Sequence, residues 1–443
     1  MRVNQPRSSW KVKEALYQPV YHDPDRLEAV LAHIRTLPPL VFAPEADTLM
    51  EKLAAAGEGK AFILQGGDCA ESFATSGEEA IRGKVRTILQ MALVLTYSAS
   101  VPVVKIGRIA GQYAKPRTHM TQVLDGVALP SYFGDAVNGH EFTPESRTPD
   151  PDRLLTMYSR SAASLNLIRA LVGGGYADLN LIHEWNSGFA RNQAYERYDS
   201  MAQEIDRALR FIAATGEHGK QLHTVDFYSS HEALLLGYED ALTRVDTRSG
   251  LTYDTSAHFL WIGERTRDPQ GAHVEMLSQV ANPIGVKIGP SATSDDLRRL
   301  IDRLNPQGIP GRLTFITRMG ASNVRQLLPQ LVNAVKKDGR PITWVCDPMH
   351  GNTFMASGYK TRRMSDVMDE IQGFFDVHRA TGTVPAGVHI ELTGDDVTEV
   401  LGGANEVVES QLGQHYETLV DPRLNHEQAL ELAFMVSQIL TQR

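Results

Sequence analysis

Only two cysteines, Cys69 and Cys346, occur in 443 residues, and neither belongs to a CxxC pair. That count excludes a disulfide framework and a four-cysteine zinc site. A reducing compartment, the cytoplasm, is the expectation. No apolar run approaches the roughly 20 residues that a membrane span needs. The first eleven residues carry charges and Pro6 but no apolar stretch of the signal-peptide kind. Basic excess is also missing: 44 Lys and Arg stand against 53 Asp and Glu, a formal net charge of −9. This balance argues against nucleic acid as a partner, because non-specific binding needs a basic surface. It still allows an anionic substrate in a local basic cleft. No GxGxxG turn follows a strand-like run, which removes the usual mark of a dinucleotide site. Internal repeats and low-complexity segments are absent too.

Hydrophobic residues make up 42% and charged residues 22%, enough for a sizeable globular core. Residues 1–60 read as an N-terminal extension, in which Pro19, Pro24, Pro38, Pro39 and Pro44 punctuate short amphipathic pieces such as 25–35. From residue 61 a regular pattern sets in. Short runs rich in Val, Ile, Leu and Phe alternate with helical patterns, the signature of a parallel sheet. The strand candidates are 61–65, 102–106, 224–228, 259–262, 285–288, 313–316, 343–346 and 387–390. A ninth run, 179–182, competes with 224–228 for third place and is assigned to a helical insertion around 145–215 between strands two and three. Eight alternating units predict an α/β fold, a (β/α)8 TIM barrel over 61–443. Thr75 with Glu78 reads as a capping box opening one helix, and Asn425 with Gln428 opens the last. A further long helix is expected over 152–171, and the Asp395-Asp396 pair reads as a solvated helix start.

Strand C-termini share one face of such a barrel, where active sites lie. The residues at these ends therefore converge, and they divide into two sets. Cys69, His350, Glu391 and Asp421 offer S, N and O atoms, a mixture suited to a divalent Mn, Fe, Co or Zn ion. Arg108, Lys115, Arg117, Arg265, Lys287 and Arg318 form a bowl of six cations that anions must neutralise, and Arg forks match phosphate and carboxylate. Each residue also has an ordinary reading. A cysteine at a strand end is most often a small buried hydrophobe, and Asp before Pro is most often a turn residue. Glu391 is the strongest single signal, because a carboxylate in an apolar strand needs a partner. Cys346, inside an apolar strand, reads as core, and Tyr113 as packing or support for a phosphate loop. His119, His183, His258 and His273 read as structural.

Eight blocks, in order, carry a resemblance: GGDCAESF (66–73), GRIAGQYAKPRT (107–118), WIGERTR (261–267), GVKIGP (285–290), RMG (318–320), CDPMHGNT (346–353), GVHIELTGDDVTEVLGGA (387–404) and YETLVDPRLN (416–425). From about residue 25 to the C-terminus the chain resembles the class II 3-deoxy-D-arabino-heptulosonate 7-phosphate (DAHP) synthases. The resemblance implies a transferase that condenses phosphoenolpyruvate with erythrose 4-phosphate and releases phosphate, the first step of the shikimate pathway. It implies a divalent metal, Mn or Co before Zn or Fe, on Cys69, His350, Glu391 and Asp421. It places phosphoenolpyruvate at Arg108, Glu264 (largely through its backbone), Arg265, Lys287 and Arg318, and the aldose phosphate at Lys115, Pro116, Arg117 and Thr118. Lys115, Arg108 and Lys287 are the implied catalytic residues. A homodimer or homotetramer, aromatic amino acid effectors and a chorismate mutase partner are implied as well. Thr118 stands where the family often has Ser, and the segments 291–295 and 321–323 depart from the family pattern. Those departures keep a rival reading open: a secondary-metabolism paralogue that makes DAHP or aminoDAHP. A non-catalytic regulatory paralogue is the third reading, opposed by the intact ligand and cation sets.

Overall fold

The computed structural model describes residues 9–117, 119–174, 225–404 and 406–441, with isolated positions 182, 203–205, 207 and 210. Eight parallel strands close a barrel: β1 (Phe62–Gly67), β2 (Val103–Arg108), β3 (Tyr228–Glu232), β4 (Phe259–Ile262), β5 (Ile284–Ile288), β6 (Leu313–Thr317), β7 (Thr343–Cys346) and β8 (Gly387–Glu391). Each strand pairs with its neighbour in sequence, and β8 returns to β1. Almost every strand residue is buried, so the strands read as apolar runs rather than alternations. Helices form the outer layer. Glu78–Ala99 buries Ile81, Val85, Ile88, Leu89 and Ala92 and packs against the last helix, His426–Thr441, which completes the ring. Among the described residues, no helix is long and apolar enough to cross a membrane.

The opposite end of the barrel is closed by the helix Ala43–Gly57. Its Leu49, Leu53 and Ala56 cluster with Ile63, Val104, Tyr228 and Phe259 from the strands. Thr343 Oγ1 donates to Leu53 O at 3.2 Å and ties this plug to the start of β7.

Three sequence expectations are corrected. The third strand was expected at 224–228; it is Tyr228–Glu232, overlapping at one residue. The apolar run precedes the strand, while the strand itself is Tyr-Ser-Ser-His-Glu, and hydrogen bonds from Ser230 and His231 allow it to be buried. Ser230 Oγ donates to Gly107 O at 2.9 Å and accepts from Gln65 Nε2 at 3.0 Å, and His231 Nε2 lies 2.9 Å from Glu239 Oε1. Thr75 does not cap the first barrel helix. Its backbone N–H donates to Ser72 Oγ at 3.1 Å in a separate turn, and the N-cap is Gly77. Glu78 and Glu79 in the first turn still complement the helix dipole. No helix starts at Asp395-Asp396, which lie in an irregular loop where Asp395 accepts from Thr393 Oγ1 at 2.7 Å. The Asn425–Gln428 box is present: Gln428 N donates to Asn425 Oδ1 at 2.8 Å and Asn425 N to Gln428 Oε1 at 3.3 Å. The helix expected over 152–171 is Arg153–Gly173. The run 179–182 lies outside the described residues apart from Ile182, as does much of the insertion around 145–215.

Candidate metal centre and anion cavity

Strand register brings the site together. Gly67 of β1 stands opposite Arg108 of β2 and Glu391 of β8. Gly67 has φ +143°, and a Cβ there would meet Arg108 O at 2.6 Å. Glycine alone lets β1 turn out at this level, and Cys69 follows two residues later.

Cys69, His350, Glu391 and Asp421 each place one donor atom within 4.8 Å of the others. His350 Nε2 lies 3.0 Å from Glu391 Oε1 and 4.0 Å from Asp421 Oδ2. Cys69 Sγ lies 3.7 Å from Asp421 Oδ2. The other imidazole nitrogen, His350 Nδ1, is 2.8 Å from Asp347 Oδ2, an outer contact of the kind that aims a ligating histidine. Asp347 is itself fixed by the backbone N–H groups of Met349 and His350 and by Lys287.

The electrostatics fit a cation at this cluster. Burial would raise Glu391, but His350, Arg362 and Arg108 hold it well below the usual carboxylate range. Burial also opposes the charge of Asp421, and Lys115 chiefly overcomes it, holding that group low. Burial and then Glu391 push the Cys69 thiol up, with Asp421 adding to the effect. The Lys115 ammonium touches both Cys69 Sγ and Asp421 Oδ2; burial lowers its own pKa, but the charge of Asp421 chiefly outweighs that and raises it. Two carboxylates and a thiol crowded together need positive charge. A divalent ion would supply it and bind the sulfur as thiolate, so the donor set fits the implied metal.

Above the cluster opens a cavity of about 760 Å³. Arg108, Lys115, Arg117, Glu264, Arg265, Lys287 and Arg318 line it, together with Cys69, His350 and Asp421. Glu391 is fully buried beneath. Thr118 lies outside the described residues. Arg318 Nη2 donates to His350 O at 2.9 Å, joining the β6 and β7 loops. The side chain of Glu264 turns to Arg267 and Ser291, at 3.3 and 3.2 Å, away from any direct part in binding an anion. Trp261 forms the floor, with the Arg108 guanidinium carbon 5.1 Å and Lys287 Nζ 5.8 Å from its ring centre. Burial and then Arg108 push Lys287 down to about 8, against the pull of Asp347.

Cys346 is buried core in β7, and Tyr113 packs against Phe73 at 5.3 Å between ring centres. His258 and His273 are buried and hydrogen-bonded, to Ser229 N at 2.9 Å and beside Leu234 O at 3.1 Å. His183 lies outside the described residues. His119 is exposed and lines the cavity, because the chain after Lys115 folds back over the mouth. The structure adds residues that the sequence did not single out. Glu232 ends β3 and lines the cavity, and its Oε1 has no hydrogen-bond partner among the described residues. It would have followed from correct placement of the third strand. Lys360 Nζ sits 3.0 Å from Asp421 Oδ1. Arg362 contacts Glu391 from beneath. The last two belong to no barrel strand, so no strand-end reading reaches them.

The family model described as the Class-II DAHP synthetase family matches residues 5–437. The chain is 54% identical over 434 residues to a phospho-2-dehydro-3-deoxyheptonate aldolase of Streptomyces coelicolor, covering 98% of this chain and 96% of that one. It is 49% identical over 435 residues to phospho-2-dehydro-3-deoxyheptonate aldolase AroG of Mycolicibacterium smegmatis, covering 97% and 93%. With a closed eight-stranded barrel and a match over nearly its whole length, the chain belongs to the class-II DAHP synthetase family and is an enzyme of that class.

Proposed function

We propose that the chain condenses phosphoenolpyruvate with erythrose 4-phosphate to give DAHP and inorganic phosphate, opening the shikimate route to aromatic compounds. The observation that carries this reading is the bowl of cations over a four-donor cluster in one cavity. A divalent ion, Mn or Co by preference, would be held by Cys69, His350, Glu391 and Asp421. When bound, it supplies Lewis acidity toward the aldehyde oxygen of the acceptor.

The protein's own groups do the rest. Arg108, Arg265, Lys287 and Arg318 hold the phosphate and carboxylate of phosphoenolpyruvate, and Arg117 with Thr118 holds the aldose phosphate. Fixing two anions in register is mainly entropy and preorganised charge. C3 of phosphoenolpyruvate forms the new bond to the aldehyde carbon, and Lys115 delivers a proton to the aldehyde oxygen. Water adds at C2, and its proton needs an acceptor. Glu232 is suited to that role: burial raises it, while Lys115, Lys287 and His350 favour its charged form. The C2–O bond then breaks and phosphate leaves.

Phosphate release from phosphoenolpyruvate, dependent on erythrose 4-phosphate and on Mn(II) or Co(II), tests the reading; no release from the pure protein overturns it. Rates with the amino analogue of the aldose decide the acceptor. Homo-oligomer contacts, aromatic amino acid effectors and a chorismate mutase partner are proposed for the N-terminal extension and the segment around 145–215, supported by family membership alone. Flat activity across added Trp, Phe and Tyr would count against the effectors.

A further inference from the structure

Arg362 stands just after the short hairpin of Phe354–Ala356 and Tyr359–Thr361, off the barrel, yet it is fully buried against the candidate metal centre. Its guanidinium makes three contacts on three different segments. Nη2 donates to Glu391 Oε2 at 2.7 Å, Nε donates to Thr353 Oγ1 at 3.1 Å, and Nη1 donates to Pro422 O. Glu391 ends β8, Thr353 follows His350 in the β7 loop, and Pro422 is next to Asp421. One rigid fork therefore ties together the segments that carry three of the four candidate ligands.

The two oxygens of Glu391 are treated differently. Oε1 faces His350 Nε2 at 3.0 Å and Arg108 Nη2 at 3.1 Å, on the side of the donor cluster. Oε2 is held by Arg362. A free carboxylate can give a cation one oxygen or two, and hard ions such as calcium commonly take both. We infer that Arg362 is a positioning residue that restricts Glu391 to a single ligating oxygen and sets the spacing of the β7, β8 and Asp421 segments. The site would thereby favour a low-coordinate ion that accepts sulfur and nitrogen over an oxygen-seeking one. The inference rests on the proposed reading of the cluster as a metal centre.

The test separates the two. Metal-free, full-length protein is titrated with Co(II) and followed by its absorption. Wild-type should bind one ion per chain with a thiolate-to-cobalt band that Cys69→Ser removes. Absence of that band in wild-type sinks the metal-centre reading itself. Arg362→Lys keeps the charge but loses the fork. It should weaken Co(II) binding by about 10–100-fold, the usual cost of losing an outer contact to a metal ligand. Its visible bands should also weaken as Glu391 offers both oxygens and coordination number rises. Thr353→Val, which removes the Nε anchor and a long 3.4 Å bond from the same hydroxyl to Met349 O, should move both readouts the same way by less, and it serves if the lysine variant does not fold. Wild-type affinity and an unchanged cobalt spectrum in a folded variant would overturn the inference while leaving the metal centre standing.

Discussion

The two ends of this barrel are made by the same strands and differ in kind. At the start of the strands, Ile63, Val104, Tyr228 and Phe259 meet the plugging helix in a dry cluster. Toward the other end, the barrel strands and the residue after β7 present Gln65, Arg108, Lys287, Asp347, His389 and Glu391, all buried. Trp261 marks the border, with the His389 ring at 5.3 Å on the polar side. Burying so many charges is tolerable because almost every one has a partner. His389 shows the discipline required: it bonds Gln65 Oε1 at 2.7 Å and Arg108, and burial holds its pKa well below the usual range so that it stays neutral. The apolar end secures the fold through area and shape. The polar end holds charges in fixed places, an arrangement that fits the anions and cation proposed for it.

The comparison is broken most forcefully at Lys115. Lys115→Met should lower turnover by about 10²–10⁴-fold, the usual worth of a placed proton donor, as measured by phosphate release at saturating substrate. Metal content should not fall, because the lysine touches Cys69 Sγ and Asp421 Oδ2 and would compete with an ion for them. Loss of the metal together with turnover would show that Lys115 builds the centre and does not act on substrate. The plug predicts the reverse. Leu53 is fully buried, so Leu53→Ala should cost about 2–5 kcal/mol in denaturant unfolding and leave kcat of the folded fraction unchanged.

Lys287 gives the polar end a pH signature. Burial, then Arg108, depress it to about 8, so its charge is present below that pH and lost above it. Affinity for phosphoenolpyruvate should therefore weaken as pH rises through about 8. Past that point one lost charge limits the loss to about tenfold per pH unit, since one unit corresponds to about 1.4 kcal/mol. Lys287→Arg, charged throughout, should abolish the dependence. A wild-type KM that stays flat from pH 7 to 9 would remove Lys287 from the binding set.

What could be read from the sequence follows the same division. Apolar runs mark strands whose cores are dry, and seven of the eight sequence-read runs fall on observed strands. The third fails because Ser229, Ser230 and His231 are buried through hydrogen bonds, which no hydropathy pattern registers. Missing that strand end also meant missing Glu232. The candidate ligand and cation residues were legible because they sit at strand ends, in the loops that follow them, and in long ordered motifs. Arg362 and Lys360 were not, since a hairpin off the barrel brings them to the site only through tertiary folding. Lys84 and Arg423 illustrate a further gap. Both pair with the buried Asp68: Lys84 ties the Cys69 loop to the first barrel helix, and Arg423 pins it to the Asp421 loop, a link across more than 350 residues that spacing cannot reveal.

The smallest effect tests how local signals are read at the two helices that flank the β1–β8 seam. Both begin with a sequence that looks like a capping box, but only Asn425–Gln428 makes the bonds. Thr75 is held by Ser72 and leaves its helix to start after Gly77. Asn425→Ala should therefore cost about 1 kcal/mol, the usual value of a lost side-chain cap, with some addition because Asn425 Nδ2 also donates to Val397 O at 3.0 Å. Thr75→Ala should cost less than half of that, since its helix gains nothing from the hydroxyl. The pair can be compared in one chemical denaturation series on metal-free protein. Equal costs would mean that Thr75 supports its helix through the Ser72 turn, so that an apparent capping box stabilises a helix it does not cap. Unequal costs in the stated order would leave the bond geometry, not the spelling of the motif, as the physical cause.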